Sequence, residues 1–230
     1  TKQGLQEARR LILEEGAAAI VGPLASSVTL AVATEVAAAL GVPFITPSAT
    51  SPALSSADDA DFLFRATLSD AAQGAVLADL VLDDGVTNVG VLYINDPYGR
   101  GLFEAFRDAY DPEGLVAAVS HAPDETAAEY ADNLESVRVA AAETLIAISF
   151  PDQAQVYLQQ ALEGDLFGAF YFVDGTQSLD LVVWPGPEAA AVSGGGVRRD
   201  GGPGAGSRDG RQPGRCGDPR RPAAGCGAGR

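Results

Sequence analysis

Small hydroxyl side chains gather at two points early in the chain. Ser26 and Ser27 close the run Val21-Gly22-Pro23-Leu24-Ala25-Ser26-Ser27, and Ser48 and Thr50 lie in Phe44-Ile45-Thr46-Pro47-Ser48-Ala49-Thr50. Each group follows a short apolar run, and the serine pair also precedes a nearly all-apolar helical stretch. In the first turn of a helix the backbone N–H groups lack intrahelical partners, so a hydroxyl beside them suits a ligand carboxylate. The plainer role is that one serine is the helix N-cap, and both readings stand at this stage. Much later, Asp174 follows the apolar run Ala169–Val173. An anionic side chain at such a strand end can receive an ammonium group, or it can simply cap the segment from Gln177 onward.

The familiar catalytic patterns are missing. The chain contains no G-x-S-x-G elbow, no phosphate-binding P-loop, no H-E-x-x-H and no G-x-G-x-x-G after a strand. Its single histidine, His121, sits just past a strand in His-Ala-Pro-Asp and reads as an exposed loop residue. No Cys/His/Asp group has metal-ligand spacing, so neither a metal nor a cofactor is expected. Nothing in these patterns asks for an enzyme, and an α/β enzyme with an unrecognised site stays open as the alternative from another class.

Composition narrows the partners. The chain is 47% hydrophobic and 20% charged, a globular balance. A net charge of −16 argues against nucleic acid or an anionic membrane surface, both of which require clustered Lys and Arg. No apolar run reaches the roughly 18 residues of a membrane span. No signal peptide is visible, and the chain passes from Thr1-Lys2-Gln3 directly into an amphipathic helix, which suggests that a natural N-terminus has been removed.

The elements that must position these residues alternate. Residues 4–15 read as a helix and 18–21 as a strand. Residues 27–40, with Val28, Val32, Val36 and Leu40 at every fourth position, read as a buried helix. A strand is expected at 42–46, loop at 47–61, a short extended run at 62–65, and a helix from an Asp70 N-cap to Leu82. A second series then begins: strands at 88–94, 115–120, 144–150 and 169–173, separated by helices ending near Tyr110, over 126–142 and over 152–162. This alternation predicts an α/β protein with two Rossmann-like lobes built on parallel sheets. The expected domains are 1–86 for the first lobe and 87–182 for the second.

Residues 183–230 differ from everything before them. They hold 14 Gly, 6 Pro and 8 Arg, and against four acidic residues they carry +4. The preceding 182 residues, with 7 basic and 27 acidic side chains, carry −20. Both cysteines, Cys216 and Cys226, fall in this stretch. So little large apolar surface beside so much Gly and Pro predicts a disordered tail, or the product of an out-of-frame reading of GC-rich DNA beginning near Leu181–Trp184.

Three segments in order, V-G-P-L-A-S-S-V-T, V-P-F-I-T-P-S-A-T-S-P and V-L-Y-I-N-D-P-Y-G-R-G-L, resemble the type I periplasmic binding proteins. The likeness is nearest to the leucine/isoleucine/valine-type amino-acid receptors of ABC transporters and runs from about residue 4 to 182. The resemblance implies two lobes that close on an amino acid like a clamp. It places Ser26 or Ser27 (a one-residue gap leaves the choice open), Ser48 and Thr50 around the ligand carboxylate. It also places Tyr98 of the Y-G-x-G motif over the ligand, Phe150 beside it, and Asp174 at the ammonium. Plain packing is the other reading for Tyr98 and Phe150. The family continues beyond both ends of the matching region, which implies a first lobe incomplete in this chain, lacking strands from both ends. A permease is the implied partner, and a periplasmic or extracellular location the implied site, with a lipid anchor on the full-length protein in some members. The same fold serving as the sensor half of a receptor or regulator is the runner-up.

Overall fold

The computed structural model describes residues 1–110, 114–123, 130–178, 191–193 and 196–198. The first series runs α1 (Lys2–Leu13), β1 (Ile20–Val21), α2 (Ser26–Val32), a wider π-helical turn (Ala33–Ala37), α3 (Ala38–Leu40), β2 (Phe44–Thr46) and β3 (Leu63–Arg65). The three strands form one parallel sheet in the order β1-β2-β3. Helical backbone is continuous from Ser26 to Leu40, as the four-residue repeat predicts, and Gly41 ends it in the left-handed conformation that glycine adopts without strain.

One face of this sheet is packed and the other is bare. Phe44 joins Ala8, Val32, Val36 and Ala37 in a small core beneath the helices. On the opposite face Val21 pairs with Ile45 and Ile45 with Phe64, and these three remain 77%, 40% and 53% exposed. Parallel sheets ordinarily have both faces covered, so this half of the fold carries a single helical layer among the described residues.

The second series is α4 (Asp70–Asp83), β4 (Val89–Ile94), α5 (Pro97–Ala109), β5 (Leu115–His121), α6 (Ala131–Val139), β6 (Thr144–Ile148), α7 (Pro151–Glu163) and β7 (Ala169–Phe172). Two short strands follow, β8 (Ala191–Ser193) and β9 (Gly196–Arg198). The sheet order is β5-β4-β6-β7-β9-β8, parallel through β7 and antiparallel at β9 and β8. These two strands lie inside the stretch that composition sets apart as a tail; its remainder, and the part of the expected 126–142 helix before Tyr130, fall outside the described residues.

This sheet is a full sandwich. Val89, Val91, Ile146, Ile148 and Tyr171 face a core with Leu77, Val81, Leu102 and Phe106 from α4 and α5. Leu92, Leu145, Ala147 and Phe170 face the other way, against Leu134, Val137, Tyr157 and Leu158 of α6 and α7. Helix α4, grouped by the sequence reading with the first lobe, packs on α5 and on the second sheet. Its stripe Leu77, Ala78 and Val81 finds its apolar partners there, so the backbone crosses between sheets in the few residues after Arg65.

The α4–α5 contact is close because Gly74 has no side chain. A Cβ at that position would lie 2.6 Å from the Phe106 backbone nitrogen and 2.6 Å from the Ala105 Cβ. A backbone atom cannot rotate away, so Gly74→Ala must push the helices apart. The expected cost is about 1–3 kcal/mol from overpacking, against roughly 1 kcal/mol gained in helix propensity. Denaturant unfolding should therefore show a less stable protein, whereas Val76→Ala on the same helix, at a 66% exposed position, should be close to neutral.

Candidate functional site

The loop after β2 is built by hydroxyl groups bonding to backbone. The Thr46 hydroxyl donates to the Pro23 carbonyl at 2.8 Å and accepts from the Ala49 N–H at 3.1 Å. The Thr29 hydroxyl shares its proton between the Ala25 carbonyl at 3.0 Å and the same Pro23 carbonyl at 3.2 Å. Ser26 Oγ accepts from the Ser51 N–H at 3.2 Å, so the two hydroxyl-rich loops are stitched together. Ser51 in turn donates from Oγ to the Pro97 carbonyl at 2.7 Å, across to the start of α5.

These contacts decide the role of the serine pair. The N-cap of α2 is Ala25, not a serine, and no side chain caps that end. Ser26 is buried and holds the neighbouring loop as an acceptor, which leaves its O–H free to donate. Thr50 is buried, Ser27 is half-buried and Ser48 is exposed. The structure thus brings Ser26, Thr50 and Ser51 together at one sheet edge, with Ser27 and Ser48 beside them. Ser51, buried and bonded to both neighbouring elements, has no place in the sequence reading.

Across from this edge, the Tyr98 hydroxyl donates to Asp174 Oδ1 at 2.7 Å and accepts from the Gly175 N–H at 3.0 Å. The Tyr98 ring is 4% exposed and stacks on Phe150 with centroids 5.4 Å apart. Burial, and then the adjacent Asp174 carboxylate, push the Tyr98 phenol far above its ordinary value. Its one proton is therefore committed to Asp174, so Tyr98 holds the carboxylate in place. Phe150 supports that ring at the N-cap of α7. Asp174 itself is exposed, and it caps no helix; it opens a short turn, Asp174–Thr176, after β7. Thr176 locks that turn by accepting from the Val173 N–H at 3.0 Å and donating to the Val173 carbonyl at 2.7 Å.

The sequence reading misses one acid. Asp70 is expected as the N-cap of α4, but Ser69 fills that role, its Oγ accepting from the Ala71 N–H at 3.3 Å. Asp70 is instead the first residue of the helix, completely buried, and among the described residues neither carboxylate oxygen has a hydrogen-bond partner. Burial raises its pKa to about 7, and the Asp174 and Asp96 carboxylates add to the rise. The Thr50 hydroxyl, near it though outside hydrogen-bonding geometry, and the Arg65 guanidinium pull the other way. Asp96 is also raised by burial, offset by the N–H groups of Gly99, whose bond to Oδ1 is 2.9 Å, and of Tyr98. A signal for Asp70 was present: it shares the i, i+4, i+7 stripe with Gly74 and Leu77, the inward side of α4. The preceding serine made a cap redundant.

His121 also departs from expectation. It is the last residue of β5 and is 3% exposed, with its ring against Tyr130 and Tyr157 and Nδ1 3.0 Å from the Ala122 carbonyl. Being on a strand end enclosed by α7 rather than in an open loop, it is a residue of the second core.

Two parallel sheets, a hydroxyl-lined edge on one and a tyrosine-held carboxylate on the other, define a two-lobed small-ligand binding fold. The sequence profile described as "Receptor family ligand binding region" matches residues 1–192, and the chain belongs to that family. It is 33% identical over 153 residues to glutamate receptor 3.1 of Oryza sativa subsp. japonica, covering 66% of this chain and 16% of that protein. It is 33% identical over 116 residues to Leu/Ile/Val-binding protein homolog 3 of Brucella melitensis biotype 1, covering 50% of this chain and 31% of that protein. Among solved structures, the leucine-binding protein LivK of Thermotoga maritima superposes with a TM-score of 0.72 at 22% identity, over 82% of this chain and 53% of that one. The fold is that of a type I periplasmic binding protein, and the chain spans about half or less of the length of these relatives. Among the described residues no helix is long and apolar enough to cross a membrane, and no acidic, His or Cys cluster could hold a metal ion.

The buried carboxyl of Asp70 makes stability fall with pH. Its folded pKa of about 7 lies above the ordinary 3.8, so between those values the unfolded chain releases a proton that the folded chain keeps. The folded state is thus unpenalised at acid pH and progressively destabilised as pH rises through that window. Asp70→Asn should raise the melting temperature by about 3–8 °C at mildly alkaline pH, with the gain vanishing near the ordinary aspartate pKa. Parallel melting curves for the two proteins across the whole range would contradict the assignment.

Proposed function

We propose that this chain is the ligand-capturing part of an extracytoplasmic solute-binding protein that takes a small amino acid, branched-chain or similar, for import by an ABC permease. The two lobes close on the zwitterion without covalent chemistry. The ligand carboxylate is received by Ser26, Thr50 and the backbone of their loops, with Ser27 and Ser48 at the rim. The ammonium is received between Asp174 and Asp70, with Tyr98 fixing Asp174 and Phe150 supporting Tyr98.

The observation that carries this reading is the pairing of two carboxylates, one held by a tyrosine and one buried without a partner, opposite a hydroxyl-rich edge. A buried unpartnered carboxylate is costly, and an ammonium beside it removes that cost. The names of the Leu/Ile/Val-binding and leucine-binding relatives support an aliphatic amino acid. A periplasmic or extracellular location follows from the same reading. The similarity to a plant glutamate receptor favours a second reading, in which the same clamp is the sensing half of a receptor.

Titration calorimetry with L-leucine, its decarboxylated amine and its deaminated acid tests the two ends separately. Only the zwitterion should bind tightly. Asp174→Ala should weaken leucine binding by about 2–5 kcal/mol, the cost of removing one partner of a charge pair that lobe closure over the ligand would bury. Equal affinity for the deaminated acid would exclude an ammonium site, and unchanged affinity of the Asp174 variant would remove that residue from it.

A further inference from the structure

Arg65, the last residue of β3, has no role in the binding scheme so far. It is half-buried and forms no ion pair among the described residues. Its guanidinium is spent on the ligand-side loop instead. Nη1 donates to the Ser51 carbonyl at 3.0 Å and to the Thr50 carbonyl at 3.3 Å, and Nη2 donates to Ser55 Oγ at 2.8 Å. The Thr50 carbonyl also accepts from the Asp70 N–H at 2.9 Å, so the loop, the guanidinium and the start of α4 meet at one oxygen.

The charges around that point are one-sided. Asp70 is faced by Asp174 from the turn after β7, by Asp96 and Tyr98 from the start of α5, by the Thr50 hydroxyl from the loop after β2, and by Arg65 from β3. His121 lies beyond, close enough to act on Asp96. Of these groups Arg65 is the one cation that acts directly on Asp70. A lysine in its place would keep the charge, yet as a point donor it would lose the fork that spans two carbonyls and a hydroxyl.

Resting on the amino-acid reading above, we propose that Arg65 is the positioning residue of both ends of the site: its fork sets the Thr50–Ser51 backbone that meets the carboxylate, and its charge is the counter-charge of Asp70. It touches no ligand in this scheme and acts through those groups.

The two contributions separate with paired variants of the full chain. Melting curves from about pH 4 to about pH 8 for wild type, Arg65→Gln, Arg65→Lys, Asp70→Asn and the Arg65→Gln/Asp70→Asn double variant need no ligand. Arg65→Gln should extend the Asp70-dependent fall in stability to higher pH and deepen it, its start near the ordinary aspartate value unchanged, and Asp70→Asn should abolish that extension. Arg65→Lys should restore the wild-type pH profile while still binding L-leucine at least about tenfold more weakly, because the fork is gone. A uniform loss of stability in Arg65→Gln, independent of pH and of Asp70, would reduce the residue to ordinary packing and overturn the proposal. Full leucine affinity in Arg65→Lys would overturn the fork. If wild type shows the Arg65–Asp70 coupling but binds no amino acid, the ligand reading fails and the counter-charge assignment stands.

Discussion

The two-residue segment Thr50-Ser51 is the constraint through which the rest of the site is assembled. Its carbonyls accept from Arg65 of β3 and from the Asp70 N–H of α4, the Ser51 N–H donates to Ser26 of α2, and the Ser51 hydroxyl donates to the Pro97 carbonyl of α5. Four elements from two sheets are thereby tied to one dipeptide. Buried backbone groups must be paired, and here the pairing itself carries the register between the lobes. The loop that would meet a ligand carboxylate cannot shift without disturbing the helix that carries Asp70.

The opposite wall works by commitment of protons. Tyr98 has one O–H and gives it to Asp174, while accepting from Gly175. The resemblance to amino-acid receptors implies a tyrosine that closes over the ligand; the hydrogen bonds make it first a clamp on the acid. Asp96 spends its carboxylate on the start of α5. Asp70 alone among the three acids of this region has no hydrogen-bond partner. The Asp174 and Asp96 carboxylates add to the rise that burial imposes on Asp70, an electrostatic cost that a cation beside Asp70 would relieve. Such a cost is tolerable where the surrounding fold is well packed, and α4 and α5 supply that packing through the close approach at Gly74.

Much of this was legible in the sequence, and what was not has physical reasons. Strands β4, β6 and β7 are apolar runs bounded by turn residues, and nothing competes with that pattern. Ser26, Thr50 and Asp174 stand out in the sequence because each follows an apolar run, where the loops of a parallel sheet's ligand edge lie, whereas Tyr98 and Phe150 enter only through the resemblance to a binding-protein family. Asp70 was hidden because an acid at a helix start has an ordinary explanation, and only three-dimensional burial removes it. The allegiance of α4 was hidden for a similar reason. An apolar stripe says that a helix packs, but which sheet it packs on depends on the path of the few residues before it. The bare face of the first sheet was equally invisible: Val21, Ile45 and Phe64 sit in short apolar runs that say a strand forms, not whether both its faces are covered.

That bare face gives the site an uneven foundation. The acids and Tyr98 stand on a sheet packed on both faces, whereas the hydroxyl edge rises from a three-stranded sheet with one helical layer among the described residues. The hydroxyl edge is held by polar bonds to its surroundings: Thr46 and Thr29 on Pro23, Ser26 on Ser51, Ser51 on Pro97 and Arg65 on both carbonyls. Polar bonds of this kind are directional, so they fix orientation even where apolar packing is sparse. They are also individually modest, about 1 kcal/mol each, so the edge depends on having all of them at once.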